Sequence, residues 1–237
     1  MNTYSHKSIY SFISLCLLGT FLSSCVDLSG TTSAEKKEKV LASHHSNKTS
    51  KTKNVIKSKG EVHTMRGGLG IFSIGMNQLK DAVAEKYNVP SSSSMWYNAG
   101  HVSQSIIRYY YKHPSHRPII LIGHSLGANE QIKVARNLDK AGIPVALLVT
   151  VDAVSVTRVP GNVQEVLNIY KPGFVPMFSG LKLKADNPNT THVDNVNVND
   201  LKGIDVNHFT IDKHKTLQDM IMVKVEKALS NGNRKQA

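Results

Sequence analysis

The chain has 237 residues, a formal charge of +12, 40% hydrophobic and 19% charged residues. That apolar share excludes wholesale disorder and a polytopic membrane protein, and the length suits one globular domain with an appendage. Two cysteines, Cys16 and Cys25, exclude a disulfide framework and a cysteine-rich zinc site. The positive charge leaves a nucleic-acid or anionic-surface partner open until its place along the chain is read.

Residues 1–25 carry Lys7 as their only charge, and Ile13 to Leu22 is an apolar run. The run is short for a bilayer span but fits the h-region of a secretory signal peptide. It ends in Leu22-Ser23-Ser24-Cys25, which resembles the bacterial lipobox. The resemblance implies a lipoprotein in which Cys25 is diacylated, with palmitate-type chains, and becomes the new N-terminus. An ordinary signal peptide with an incidental cysteine is the alternative. Val26 rather than aspartate follows, which by resemblance to Gram-negative sorting rules points to the outer membrane. Residues 26–60 then read as a disordered basic tether. Eight lysines face Asp27, Glu35 and Glu38, a net of +5, and large apolar side chains are nearly absent. With Lys7 contributing one more, +6 is left for residues 61–237. Half the charge therefore describes a spacer beside an anionic membrane, and a nucleic-acid partner loses its support.

From Glu61 onward strands and helices alternate. Glu61 to Met65 is the first expected strand, followed by the turn Arg66-Gly67-Gly68-Leu69-Gly70. Ser73 is placed to cap a helix running to Tyr87, with Ile74, Met76, Leu79, Ala82 and Val83 on its apolar face. Met95-Trp96-Tyr97 reads as a short strand and residues 101–112 as a helix. Ile119-Ile120-Leu121-Ile122 is apolar without alternation, as a parallel strand covered on both faces requires. A helix from Gly127 to Lys140 follows, then a second apolar strand, Val145 to Val151. Val163–Tyr170 and Thr191–Val198 are further strands, and a helix over Lys213–Leu229 closes the chain. This alternation predicts a three-layer α/β fold with a mostly parallel central sheet. No internal repeat is visible.

Gly123-His124-Ser125-Leu126-Gly127-Ala128 matches G-x-S-x-G between an apolar strand and a helix, the setting in which that motif holds a nucleophile. The glycines leave room for a strained turn, and the N–H groups that follow sit at a helix N-terminus. Asp152 ends the next apolar strand and would emerge at the same sheet edge, with Asp186 and Asp194 as competitors for the acid. Of eleven histidines, His208 lies in the last loop before the final helix, with His214, one turn inside that helix, as its competitor. The glycines at 67, 68 and 70 fail G-x-G-x-x-G and lack a P-loop lysine, so nucleotide binding is not expected.

Gly-His-Ser-Leu-Gly-Ala, with an acid and a histidine following in that order, resembles the α/β-hydrolase superfamily, close to its esterase, lipase and thioesterase-domain branch. The likeness spans roughly residues 61–230. It implies Ser125 as nucleophile, Asp152 as acid and His208 as base. The Leu126 N–H would be one oxyanion donor and that of Gly68 or Leu69 the other. It implies no metal and no cofactor, and acyl transfer from an ester or thioester to water.

With a domain of 177 residues there is room for a small lid or none, Pro172 to Asn189 being the candidate. An open site favours short or extended acyl groups, and esters over coenzyme A thioesters outside the cytoplasm. The expected partners are a small-molecule or lipid ester and, through the anchor, a membrane, with the chain a monomer. The expected location is the periplasmic side of the outer membrane. Two other readings remain open, a non-catalytic envelope lipoprotein that binds with a hydrolase scaffold, and an acyltransferase.

Overall fold

A computed structural model of the chain describes residues 60–68, 70–155 and 157–234. The signal segment with Cys25, the tether up to Lys59, and Leu69 lie outside them. The strands are β1 (Glu61–Arg66), β2 (Ser91–Met95), β3 (Ile119–His124), β4 (Val145–Val151), β5 (Arg158–Val159), β6 (Val163–Tyr170), β7 (Lys184–Ala185) and β8 (His192–Asn197). The helices are α1 (Gly75–Tyr87), α2 (Ala99–Lys112), α3 (Leu126–Lys140) and α4 (Lys215–Arg234). Six strands form one sheet in the order β2-β1-β3-β4-β6-β8, parallel throughout, while β5 and β7 pair separately. No helix among the described residues is long and apolar enough to cross a membrane.

The continuous apolar run of β3 is explained by cover on both faces. Ile120 and Ile122 join the core under α1 and α4, while Ile119 and Leu121 join the core under α2 and α3. Three layers result, as the periodicity predicts. Helix α4 shows how amphipathic spacing builds a layer. Leu217, Ile221, Val225 and Leu229 recur every four residues, all buried, each worth roughly 2 kcal/mol in surface removed from water.

The strand order also makes a crevice. The chain leaves β1 toward β2 on one side, then crosses back over β1 to reach β3 on the other. Connections from β1 and β3 therefore diverge at their carboxyl ends, where an open α/β sheet offers a site. The loop after β1 and the turn after β3 flank that opening.

Three local expectations differ from the structure. Trp96-Tyr97-Asn98 is a 3-10 turn, and the strand is the serine run Ser91–Met95 before it. As an edge strand β2 needs little burial. Its serines are satisfied by polar neighbours, Ser92 Oγ with His63 Nδ1 at 2.9 Å and Ser93 donating to Asn77 Oδ1 at 2.7 Å. Ser73 does not cap α1, which begins at Gly75; the Asp212 carboxylate accepts the Gly75 N–H instead, at 2.8 Å. The final helix starts at Lys215 and runs to Arg234, because Ile211–Lys213 forms a separate 3-10 turn that carries Asp212 to its place.

Candidate active site

The turn between β3 and α3 is tight and strained. Ser125 has φ 57° and ψ −125°, a region that costs a non-glycine residue about 1–3 kcal/mol. The sheet and helix over-determine it. Ser125 N–H donates to the Val151 carbonyl at 2.9 Å, extending the β3–β4 ladder by one residue. A Cβ on Gly127 would stand 2.3 Å from the Met65 carbonyl oxygen, and one on Gly123 would stand 2.4 Å from the Gly127 carbonyl oxygen. Only glycine fits at either place.

Asp152 follows β4 at the same sheet edge, fully buried, with φ 54°. Its Oδ1 accepts the Lys171 N–H at 2.8 Å, leaving Oδ2 to face His208 Nδ1 at 2.6 Å. Nδ1 thus carries the ring proton, and Nε2 accepts from the Ser125 hydroxyl at 2.9 Å. Two further ties position the aspartate. Asn129 on α3 accepts the Val154 N–H at 2.9 Å, and the Lys171 ammonium donates to the Val206 carbonyl, joining the segment after β6 that holds Asp152 to the loop of His208. The competing acids are engaged elsewhere: Asp186 pairs with Arg158 at 2.7 Å and Arg136 at 3.4 Å, and Asp194 with Lys224 at 3.1 Å. The buried Nδ1 of His214 has no hydrogen-bond partner among the described residues.

The loop after β1 closes the other side of the serine. A Cβ on Gly67 would lie 2.8 Å from Ser125 Cβ and 2.9 Å from the Leu126 nitrogen, so this backbone is packed on the turn. Gly67 N–H is consumed by Ser73 Oγ at 3.1 Å, whereas Gly68, at φ 50°, has an N–H with no acceptor among the described residues. The Gly68 carbonyl is held by Trp96 Nε1 at 2.8 Å. Leu126 opens α3, where its N–H has no intrahelical acceptor.

Sequence reasoning missed the polar groups behind this site. His124 is buried, its Nδ1 lying 2.8 Å from Ser73 Oγ and its Nε2 2.9 Å from the His208 carbonyl. Burial, and next the neighbouring His208, hold its ring down to about 3, so it is neutral at ordinary pH. Burial also pushes the Asp212 carboxyl up to about 6, from an ordinary 3.8, against the opposing pull of Gly75 N–H and Lys213. The folded state thus holds this proton more tightly than the unfolded chain. That contribution to stability is complete below about pH 3.8 and is lost as pH rises through about 6. Asp212→Asn keeps an acceptor for Gly75 without a charge. The fall in melting temperature between pH 4 and pH 7.5 is expected to shrink by about 5 °C in that variant. Equal falls in variant and wild type, read by differential scanning calorimetry, would contradict this account of Asp212.

Large apolar side chains ring the opening. Phe209 lies 5.0 Å, centroid to centroid, from both Phe72 and Phe178, and Phe178 lies 5.3 Å from the His208 ring. Ile71 and Met177, next in sequence to Phe72 and Phe178, are exposed, and Phe174 is completely so. The stretch 172–189 holds one 3-10 turn, Pro176–Phe178, and the two residues of β7, so no helical lid stands there. A cavity of about 510 Å³ lined by Arg117, Ile119, Ala146, Gln164 and Lys227 lies at the opposite, amino edge of the sheet and takes no part in this site. Among the described residues no group of three or more His, Cys, Asp or Glu could hold a metal ion.

The parallel sheet flanked by helices, with Ser125 on a tight strand-to-helix turn and Asp152 and His208 after it in chain order, is an α/β-hydrolase-like fold. No protein-family model and no curated protein matches the sequence. Among solved structures, the product of gene lin2722 from Listeria innocua is similar at 12% identity and a TM-score of 0.48, over 71% of this chain and 94% of its own. A cutinase-like protein from Cryptococcus sp. is similar at 13% identity and a TM-score of 0.44, over 72% of this chain and 95% of its own. Human thioesterase 2 is similar at 8% identity and a TM-score of 0.41, over 73% of this chain and 97% of its own.

Proposed function

We propose that the chain is a serine hydrolase that cleaves carboxylic esters, and thioesters as a narrower case, through an acyl-enzyme. The observation that carries this reading is the unbroken line from Ser125 Oγ through His208 to Asp152, aimed into the crevice at the carboxyl edge of the sheet. Ser125 attacks the carbonyl carbon while His208 Nε2 takes its proton, and Asp152 stabilises the imidazolium so formed. The tetrahedral oxyanion is met by the N–H groups of Leu126 and Gly68, a contribution of about 3 kcal/mol per donor. His208 then protonates the leaving alcohol, and water attacks the acyl-serine by the same route in reverse.

Phe72, Phe178 and Phe209 offer an apolar wall to the acyl chain, and the open rim favours substrates that reach in from solvent or from a surface. Stopped-flow mixing with p-nitrophenyl butyrate tests the reading. A burst of nitrophenol equal in amount to the protein, followed by steady turnover, is the expected trace. A trace matching buffer alone would reject it.

The N-terminal reading completes the proposal. With Cys25 acylated and residues 26–60 as spacer, this hydrolase works beside a membrane on the periplasmic side of the outer membrane. Labelled palmitate is expected to enter the wild-type protein in a Gram-negative host and to be lost in Cys25→Ser. Equal labelling of the two would remove the lipoprotein part and leave the hydrolase part standing.

A further inference from the structure

We infer that Ser73 and His124 form a positioning relay that locks the Gly67–Gly68 turn and the His208 backbone in register with Ser125. The inference rests on the hydrolase reading for its catalytic meaning, but its hydrogen bonds stand without it.

The direction of every bond in the relay is fixed by its two ends. At one end, the His208 carbonyl can only accept, so His124 Nε2, at 2.9 Å, must carry the ring proton. His124 Nδ1 is then an acceptor, and its neighbour at 2.8 Å, the Ser73 hydroxyl, must donate to it. At the other end, Gly67 N–H can only donate, and the Ser73 oxygen accepts it at 3.1 Å. Gly67, Ser73, His124 and His208 thus form one chain of three hydrogen bonds with a single polarity. Ser73 and His124 are each only 1% exposed, so a broken link is not replaced by solvent.

The relay ties two connecting segments, the one between β1 and α1 and the one before α4, to the end of the central strand β3. Gly67 lies in the loop after β1, Ser73 in the approach to α1, His124 at the end of β3, and His208 in the loop before α4. Both ends matter to the reaction. Holding Gly67 N–H on Ser73 presents the next N–H, that of Gly68, beside Leu126. Holding the His208 carbonyl fixes the loop from which its imidazole reaches both Ser125 and Asp152. Neither Ser73 nor His124 touches the reacting atoms, so both act as positioning residues. The neutral state of His124 is part of the device. A protonated ring would have to donate at Nδ1, which would reverse the Ser73 link. It would also put a cation 5.1 Å from the ring on which the reaction forms an imidazolium.

Ser73→Ala tests the inference, with His124→Phe as a second variant that fills the same space and loses both the acceptor for Ser73 and the donor toward His208. Each is assayed on p-nitrophenyl butyrate, and the low-field proton resonance of His208 Nδ1–H, hydrogen-bonded to Asp152, is recorded by NMR. The expected result in both is a fall in kcat of about 10- to 100-fold with KM within twofold, and a displaced or broadened low-field resonance. A kcat within twofold of wild type and an unmoved resonance would overturn the relay. Should wild type itself neither turn over ester nor react at Ser125, the hydrolase reading fails. The resonance then decides the relay by itself, moved if it exists and unmoved if it does not.

Discussion

Ser125→Ala is expected to lower kcat on p-nitrophenyl butyrate by about 10⁵- to 10⁶-fold, the scale on which loss of a serine nucleophile acts when its partners work as a unit. The fold should tolerate the change. The side chain lost is one hydroxyl, its partner His208 Nε2 is left beside a partly open crevice, and alanine keeps the Cβ that sets the local strain. A melting temperature within a few degrees of wild type is therefore expected. Ser125→Gly makes a useful contrast. With φ at 57° and ψ at −125°, glycine relieves the turn, and stability should rise by about 1 kcal/mol while activity is lost equally. Calorimetry beside the kinetics separates a chemical loss from an unfolded protein. Residual turnover above a hundredth of wild type in Ser125→Ala would refute the assignment.

Asp152→Asn is expected to cost about 10⁴-fold in kcat with little change in stability. The backbone decides how the new amide must sit. Lys171 N–H already points at Oδ1, so the amide oxygen takes that place and its NH₂ faces His208 Nδ1. Two donors cannot face each other, so the ring proton moves to Nε2, and His208 can no longer accept from Ser125. Asparagine suits a φ of 54° at least as well as aspartate, which removes the backbone as an explanation for lost activity. Activity above a tenth of wild type would show that Asp152 does not set the tautomer.

The parts of this molecule legible in its sequence are those dictated by local composition. The apolar runs Ile119–Ile122 and Val145–Val149 announce strands covered on both faces, because runs this short, rich in β-branched residues and each opened by a proline, are too short for a buried helix. Gly123 and Gly127 announce the turn, since a Cβ at either position meets backbone. Asp152 could be preferred over Asp186 because a residue that ends a parallel strand emerges at the edge where the neighbouring strand ends. The parts not legible are those decided by distant partners. Four serines in a row carry no strand signal, and Ser91–Met95 becomes one because β1 has an unpaired edge to offer. Ser73 has the position and chemistry of a helix cap. Its hydroxyl is taken by His124, 51 residues away, while the capping falls to Asp212, 137 residues from Gly75. Nor does a glycine-rich turn declare which N–H stays uncommitted; Gly67 is consumed and Gly68 left over only once Ser73 is in place.

As proposed, Ser125 is a nucleophile activated by His208 and Asp152. Labelling with a fluorophosphonate ester, followed by peptide mass spectrometry, tests it most directly, because the reagent phosphonylates a serine whose proton is being removed and needs no guess about the natural substrate. One adduct per chain on the peptide containing Ser125 is expected, slowed by orders of magnitude in Asp152→Asn and absent in Ser125→Ala. An adduct on another residue, or none on the folded wild-type protein, would contradict the claim.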